Sequence, residues 1–182
     1  MSAVNAENGN AEKGSFLNRK VAMAKASVYI ETTIAGHLTS RLSSQAIVAG
    51  QMLETRDWWQ RDRQQFDCYT SQAVLSEAGR GDPQPAADRL KILSALPLLT
   101  MTPAVEPLAD LLLARAALPV KARFDAVHVA IAATSGMNYL LTWNCRHLAN
   151  ATLRGKIERA CRDSGFEPPV ICTPTQLREL QP

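Results

Sequence analysis

Short apolar runs alternate with longer helical patterns from residue 27 almost to the end of the chain, and this alternation restricts the fold more than any other feature of the sequence. The runs are Ser27-Val28-Tyr29-Ile30, Cys68-Tyr69-Thr70, Pro97 to Met101, Tyr139-Leu140-Leu141-Thr142 and Pro169-Val170-Ile171-Cys172. Between them lie patterns with helical spacing. Residues 42–65 carry Ile47, Val48, Met52, Leu53, Trp58, Trp59 and Phe66 roughly on a helical repeat. Ser71 is placed to cap a helix carrying Val74, Leu75 and Glu77, stopped by Gly79, Gly81 and Pro83. Further helices are expected over 84–94, from Pro103 to about Ala116, over 122–135 before Gly136, over 150–164 before Gly165, and over 173–180. Strands separated by crossovers of this length pair in parallel. The run at 139–142 is apolar throughout, as a strand covered on both faces must be. The expected class is α/β, with a mainly parallel sheet of about five strands between helical layers.

With 182 residues, 46% of them apolar, the chain makes one domain with a real core. We place that domain at 27–182. Residues 1–26, rich in Asn, Ala, Glu, Gly and Lys, have the composition of a disordered extension. They lack the apolar segment of a secretory signal, and no run reaches a membrane span. Cys68, Cys145, Cys161 and Cys172 are too scattered for a zinc spacing or a disulfide framework, which suits free thiols in the cytoplasm. The net charge of +3 permits an anionic partner without demanding one.

Glu31, Glu77 and Asp125, with Asn144 as a fourth polar partner, sit where strands hand over to helices or loops. In parallel sheets such positions converge beyond the carboxyl ends of the strands. Carboxylates brought together repel unless a cation neutralises them. Oxygen donors from several rigid elements suit Mg²⁺ or Mn²⁺, and metal-activated water needs no side-chain nucleophile to attack a phosphodiester.

The stretches around these residues are Val28-Tyr29-Ile30-Glu31-Thr32-Thr33, Ser71-Gln72-Ala73-Val74-Leu75-Ser76-Glu77, Asp125-Ala126-Val127-His128-Val129-Ala130-Ile131-Ala132 and Leu140-Leu141-Thr142-Trp143-Asn144. In order and spacing, over residues 27 to about 176, the chain resembles the PIN-domain nucleases, and most closely the VapC-type toxins of toxin–antitoxin pairs. The resemblance implies an α/β/α sandwich and a Mg²⁺- or Mn²⁺-dependent ribonuclease preferring single strands. It also implies a homodimer inhibited by a cognate antitoxin. Glu31, Glu77 and Asp125 match the metal-binding acids, Asn144 holds the fourth catalytic position, and Thr142 supports it.

Two positions depart from the commonest pattern of that family. The first acid is Glu31 where Asp is usual, and Asn144 stands where Asp is frequent. Three negative charges hold a metal less tightly than four, so a catalytically weak or inactive PIN-like protein that binds nucleic acid or a partner is the alternative reading.

His128 shares a helical face with Asp125, and a supporting place in the core fits it better than substrate contact. Arg41, Arg80, Lys121, Arg123 and Arg146 lie near the acids in sequence and are the candidate phosphate contacts; Arg80, Lys121, Arg123 and Arg146 are assigned to the substrate. Trp58, Trp59 and Trp143 suit packing or an interface better than base stacking. Met23 stands just before the first strand, so translation from Met23 is expected to give the functional protein. Deleting residues 1–22 should leave the circular-dichroism melt and the activity unchanged.

Overall fold

The computed structural model describes residues 24–115 and 122–180. The expected extension over 1–26 therefore lies almost wholly outside the described residues, as do Ala116 and Lys121.

Five strands form one parallel sheet: β1 (Ser27–Ile30), β2 (Asp67–Ser71), β3 (Leu98–Leu99), β4 (Tyr139–Leu141) and β5 (Val170–Cys172), in the order β3-β2-β1-β4-β5. Register is fixed by pairs such as Val28 with Cys68, Ile30 with Leu141, and Leu141 with Cys172. Among the described residues, eight α-helices connect and close it: α1 (Thr32–Thr39), α2 (Ala46–Arg61), α3 (Gln72–Ala78), α4 (Pro83–Leu93), α5 (Val105–Arg115), α6 (Arg123–Thr134), α7 (Ala151–Asp163) and α8 (Pro174–Glu179). The chain steps outward from β1 to β3, crosses back past β1, and steps outward again through β4 and β5. Right-handed crossovers then put α1–α4 on one face and α5–α7 on the other, while α8, which follows the last strand, belongs to no crossover and packs against α2. Accordingly α1 touches α2, α3 and α4, and α2 touches α8, while α5 touches α6 and α7. The α/β class with a parallel sheet read from the apolar alternation is present, and so is the α/β/α sandwich that the resemblance implied.

The core is centred on β1, β4 and α6. Val28, Tyr29, Ile30, Leu140 and Leu141 are fully buried, as are Ala126, Val129, Ala130, Ile131 and Ala132. Short alanines let α6 lie close on the sheet. Gly136, at φ 65°, makes the left-handed turn that sends the chain from α6 into β4. At the far end, the Arg178 guanidinium on α8 binds Asp57, at 2.9 Å, and Asp62, at 2.6 Å, at the end of α2.

Local structure departs from the sequence reading in identifiable ways. α1 was not anticipated, because Thr32, Thr33, Gly36 and Thr39 are poor helix formers. It forms because the Glu31 carboxylate caps it, accepting from the Thr33 amide at 3.0 Å, and because Ile34 and Ala35 are fully buried. The helix expected over 42–65 is confined to Ala46–Arg61, followed by a single 3₁₀ turn at Arg63–Gln65. Ile47 and Leu53 are exposed, so the apparent repeat was not one core stripe. β3 has two residues rather than five, and α5 begins at Val105 rather than Pro103. Ser71 caps α3 as expected, accepting from the Val74 amide at 3.4 Å.

Trp58 fills the space between α2 and the sheet at 1% exposure, with the Phe66 ring 5.9 Å away. Its indole Nε1 is buried without a hydrogen-bond partner among the described residues. The packing therefore stabilises the fold while the N–H group detracts from it, by about 1–3 kcal/mol for an unpaired buried donor. Trp58→Ala should lower stability by about 3–5 kcal/mol. Trp58→Phe should cost no more than about 1 kcal/mol, because the lost volume is offset by removing the orphan donor. Urea unfolding of the two variants measures the difference.

Candidate functional site

β1 and β4 are neighbours in the sheet, yet the connections leaving their carboxyl ends run to opposite faces. That divergence opens a crevice at the topological switch point. An open cleft of about 300 Å³ lies there, lined by Glu31, Thr32, Thr33, Gly36, Glu77, Arg89, Asp125 and Asn144. The three acids and Asn144, separated by up to 113 positions in sequence, thus face one space.

Each acid reaches the cleft from a different element. Glu31 is the N-cap of α1, directly after β1. It is 3% exposed, and its carboxylate accepts from both the amide and the hydroxyl of Thr33. The same Thr33 hydroxyl accepts from the Trp143 amide at 2.8 Å, tying the loop after β4 to the start of α1. Glu77 stands near the end of α3 and accepts from the Thr32 hydroxyl and from His128 Nε2, the latter at 3.2 Å. Asp125 lies in the first turn of α6, where the helix dipole favours an anion. It accepts from Asn144 Nδ2 and from His147 Nδ1, both at 2.8 Å.

His128 is buried, at 1% exposure, as a core histidine would be. An ionised Glu77 can only accept, so Nε2 carries the proton, and Nδ1 of a neutral ring accepts from the Tyr29 hydroxyl at 3.0 Å. Tyr29 in turn is 2.7 Å from the hydroxyl of Ser71, the cap of α3. A buried chain Ser71–Tyr29–His128 therefore joins the start of α3 to the carboxylate near its end. Thr142, fully buried, accepts from the Asn144 amide at 2.9 Å. The Asn144 side chain donates to Asp125 and accepts from the His147 amide at 3.1 Å, so it orients Asp125.

The electrostatics are those of a site short of positive charge. Burial raises the pKa of Glu31, an effect only partly offset by His128 and by the hydroxyls of Thr33 and Thr142. The hydrogen bond from His128 lowers that of Glu77, with Thr32 and Arg80 assisting. Among the described residues no Lys or Arg forms an ion pair with Glu31, Glu77 or Asp125.

Of Arg41, Arg80, Arg123 and Arg146, none lines the cleft itself. Arg123 is bound to Glu106 and Asp110 on α5, which draws its charge away from the cleft. Arg80 lies over the Phe124 ring, 4.6 Å from its centroid. Arg146 is exposed and is not a lining residue, and Lys121 lies outside the described residues. Sequence reasoning missed Arg89, which does line the cleft. Arg89 donates to the carbonyls of Ala78, at 2.9 Å, and Arg80, at 2.7 Å, and so closes the end of α3 beside Glu77. It also missed Thr32 and Thr33, whose adjacency to Glu31 was the available signal. Trp58 and Trp143 are packing residues; the Trp143 Nε1 donates to Thr55 at 2.7 Å.

The donor set fits a hard divalent cation in type: three carboxylates and threonine hydroxyls around one cleft, with no resident cation side chain bonded to the acids. Among the described residues, no three acidic, His or Cys side chains already close on one point. Each carboxylate instead rests on its own hydroxyl, amide or imidazole donors. Comparison with known proteins gives no match: no protein-family model matches the chain, and no curated protein matches it.

Because burial raises the Glu31 pKa, the stability due to its protonated form is fully present below the ordinary value of 4.5 and is lost as pH rises through the raised folded value. Glu31→Gln imitates that protonated form. Without divalent ions it should melt above wild type at pH 7, and the gap should shrink as the pH falls towards 4.5. A pH series of thermal melts measures this.

Proposed function

We propose that the cleft is the active site of a metal-dependent endoribonuclease, a PIN-domain toxin of the VapC type, hydrolysing phosphodiester bonds of single-stranded RNA. The observation that carries this reading is the meeting of Glu31, Glu77 and Asp125 at the switch-point cleft, with none of the three paired to Lys or Arg among the described residues. Glu31, Glu77 and Asp125 would hold Mg²⁺ or Mn²⁺, which when bound supplies a water of lowered pKa and positive charge for the phosphate. The protein's own part is orientation. Thr33 fixes Glu31, Thr32 and His128 fix Glu77, and Asn144 with His147 fixes Asp125. Arg89 offers a positive group to a phosphate entering the cleft. A homodimer, a cognate antitoxin and a cytoplasmic location belong to the same reading. Consistent with it, no helix among the described residues is long and apolar enough to cross a membrane.

One observation favours the weaker alternative, a PIN-like protein that binds nucleic acid without cutting it. The Asn144 side chain is spent on Asp125 and on the His147 amide, where an aspartate would add a negative charge.

The two readings separate on two measurements. Asp125→Asn should lower cleavage of a single-stranded RNA by more than about 100-fold, beyond the usual effect of losing a supporting partner of a metal ligand. Mn²⁺ at about 100 times its dissociation constant should stabilise the wild type by about 2.7 kcal/mol, and EDTA should abolish both stabilisation and cleavage. Equal cleavage by wild type and variant would refute the nuclease reading.

A further inference from the structure

A second concavity, of about 410 Å³, adjoins the acidic cleft between α1 and the start of α2. Its walls include His37, Arg41, Ser43, Val48 and Met52. It shares Thr33 and Gly36 with the cleft, so the two form one continuous depression. The chemistry changes along it. The cleft is lined by carboxylates, whereas the groove carries no acidic side chain and has one exposed cation, Arg41. Its size falls within the range of about 300–1,000 Å³ typical of small-ligand sites.

Three features say what such a groove takes. The His37 ring lies parallel to Trp143, with centroids 6.0 Å apart and planes 19° apart, so the wall contains a supported planar ring. His37 is fixed further by the Thr33 carbonyl, 2.8 Å from its Nδ1. Val48 gives a partly exposed apolar surface, and Arg41 gives a positive charge beside it. A flat apolar group attached to an anion is the matching ligand, and a nucleotide is such a group. Gly36 stands at the junction. A Cβ built on it meets no atom within 4 Å, so a side chain there enters open space along the path between groove and cleft.

We propose that this groove binds the nucleotide next to the scissile phosphate of a single-stranded RNA, with its base against the His37 and Val48 wall and its phosphate at Arg41, and that Gly36 keeps the passage open. This rests on the reading of the cleft as a phosphodiester-cleaving site. It selects single strands because a base held in a duplex cannot turn into such a wall.

The test uses the full chain carrying Asp125→Asn, so that RNA is not consumed, and a labelled 12-nucleotide single-stranded RNA followed by fluorescence anisotropy. Adding Gly36→Leu or Arg41→Glu should each weaken binding at least tenfold, with the melting temperature of the Gly36→Leu protein unchanged or raised. A Cβ at 36 has no protein atom within 4 Å, and a glycine inside a helix costs about 1 kcal/mol. In parallel, the same two substitutions in the otherwise unaltered chain should raise KM for RNA cleavage. Dissociation constants within twofold of the parent for both variants would overturn the groove, and continued cleavage by wild type would show that the nuclease reading survives. Groove-dependent binding with no cleavage by wild type would sustain the groove and overturn the nuclease reading. Loss of binding in Gly36→Leu alone, with a lowered melting temperature, would count against the groove, because Arg41 is required to report the same site.

Discussion

Glu31 is a carboxyl group placed where an apolar strand ends, 3% exposed, with no Lys or Arg bonded to it among the described residues. Such a group is unfavourable by itself, since removing a carboxylate from water costs several kcal/mol. It is tolerated because its oxygens cap α1 and receive the Thr33 hydroxyl. That one contact sets the direction in which the chain leaves β1. The Thr33 hydroxyl also holds the Trp143 amide, so the departure from β1 and the departure from β4 are fixed against each other. The width of the crevice between them follows from this link.

Around that point the molecule repeats one device. Each acid is supported by hydroxyl, amide or imidazole donors rather than by Lys or Arg. Glu77 rests on Thr32 and His128, and Asp125 on Asn144 and His147. Such donors hold a carboxylate in place without the permanent charge of Lys or Arg. Arginine is used where cancellation is wanted, on the outer surfaces: Arg123 with Glu106 and Asp110, and Arg178 with Asp57 and Asp62. The contrast gives the cleft its negative potential. The buried chain from Ser71 through Tyr29 and His128 ties that site to the core, because Tyr29 belongs to the central strand.

Much of this was legible in the order of residues. Short apolar runs separated by helical spacing dictate a parallel sheet, and a strand apolar throughout, as at Tyr139 to Leu141, must lie inside it. Acids at the ends of such runs are directed to one edge by the same geometry, which is why Glu31, Glu77 and Asp125 could be grouped before any coordinates. The failures have physical causes too. α1 has poor intrinsic propensity and exists through a cap and two buried side chains, neither visible as periodicity. The long α2 pattern mixed core residues such as Met52 and Trp58 with the exposed Ile47 and Leu53, since apolar character alone does not reveal which face is covered.

The sequence by itself determined the α/β class, the free cysteines, and the identity of the four polar residues that meet at the cleft, because these depend on local periodicity and on residue chemistry. Tertiary structure alone decided which positive charges reach that cleft and what holds the acids in place. Arg89 faces it and Arg123 does not, although Arg123 is two residues from Asp125 and Arg89 is distant in sequence. Asn144 became a support for Asp125, and Gly36 became the open junction between cleft and groove, through neighbours supplied by other elements. The reason is range. A strand or helix is specified by residues a few positions apart, whereas the partner of a charged side chain is chosen by whichever segments the crossovers bring alongside it.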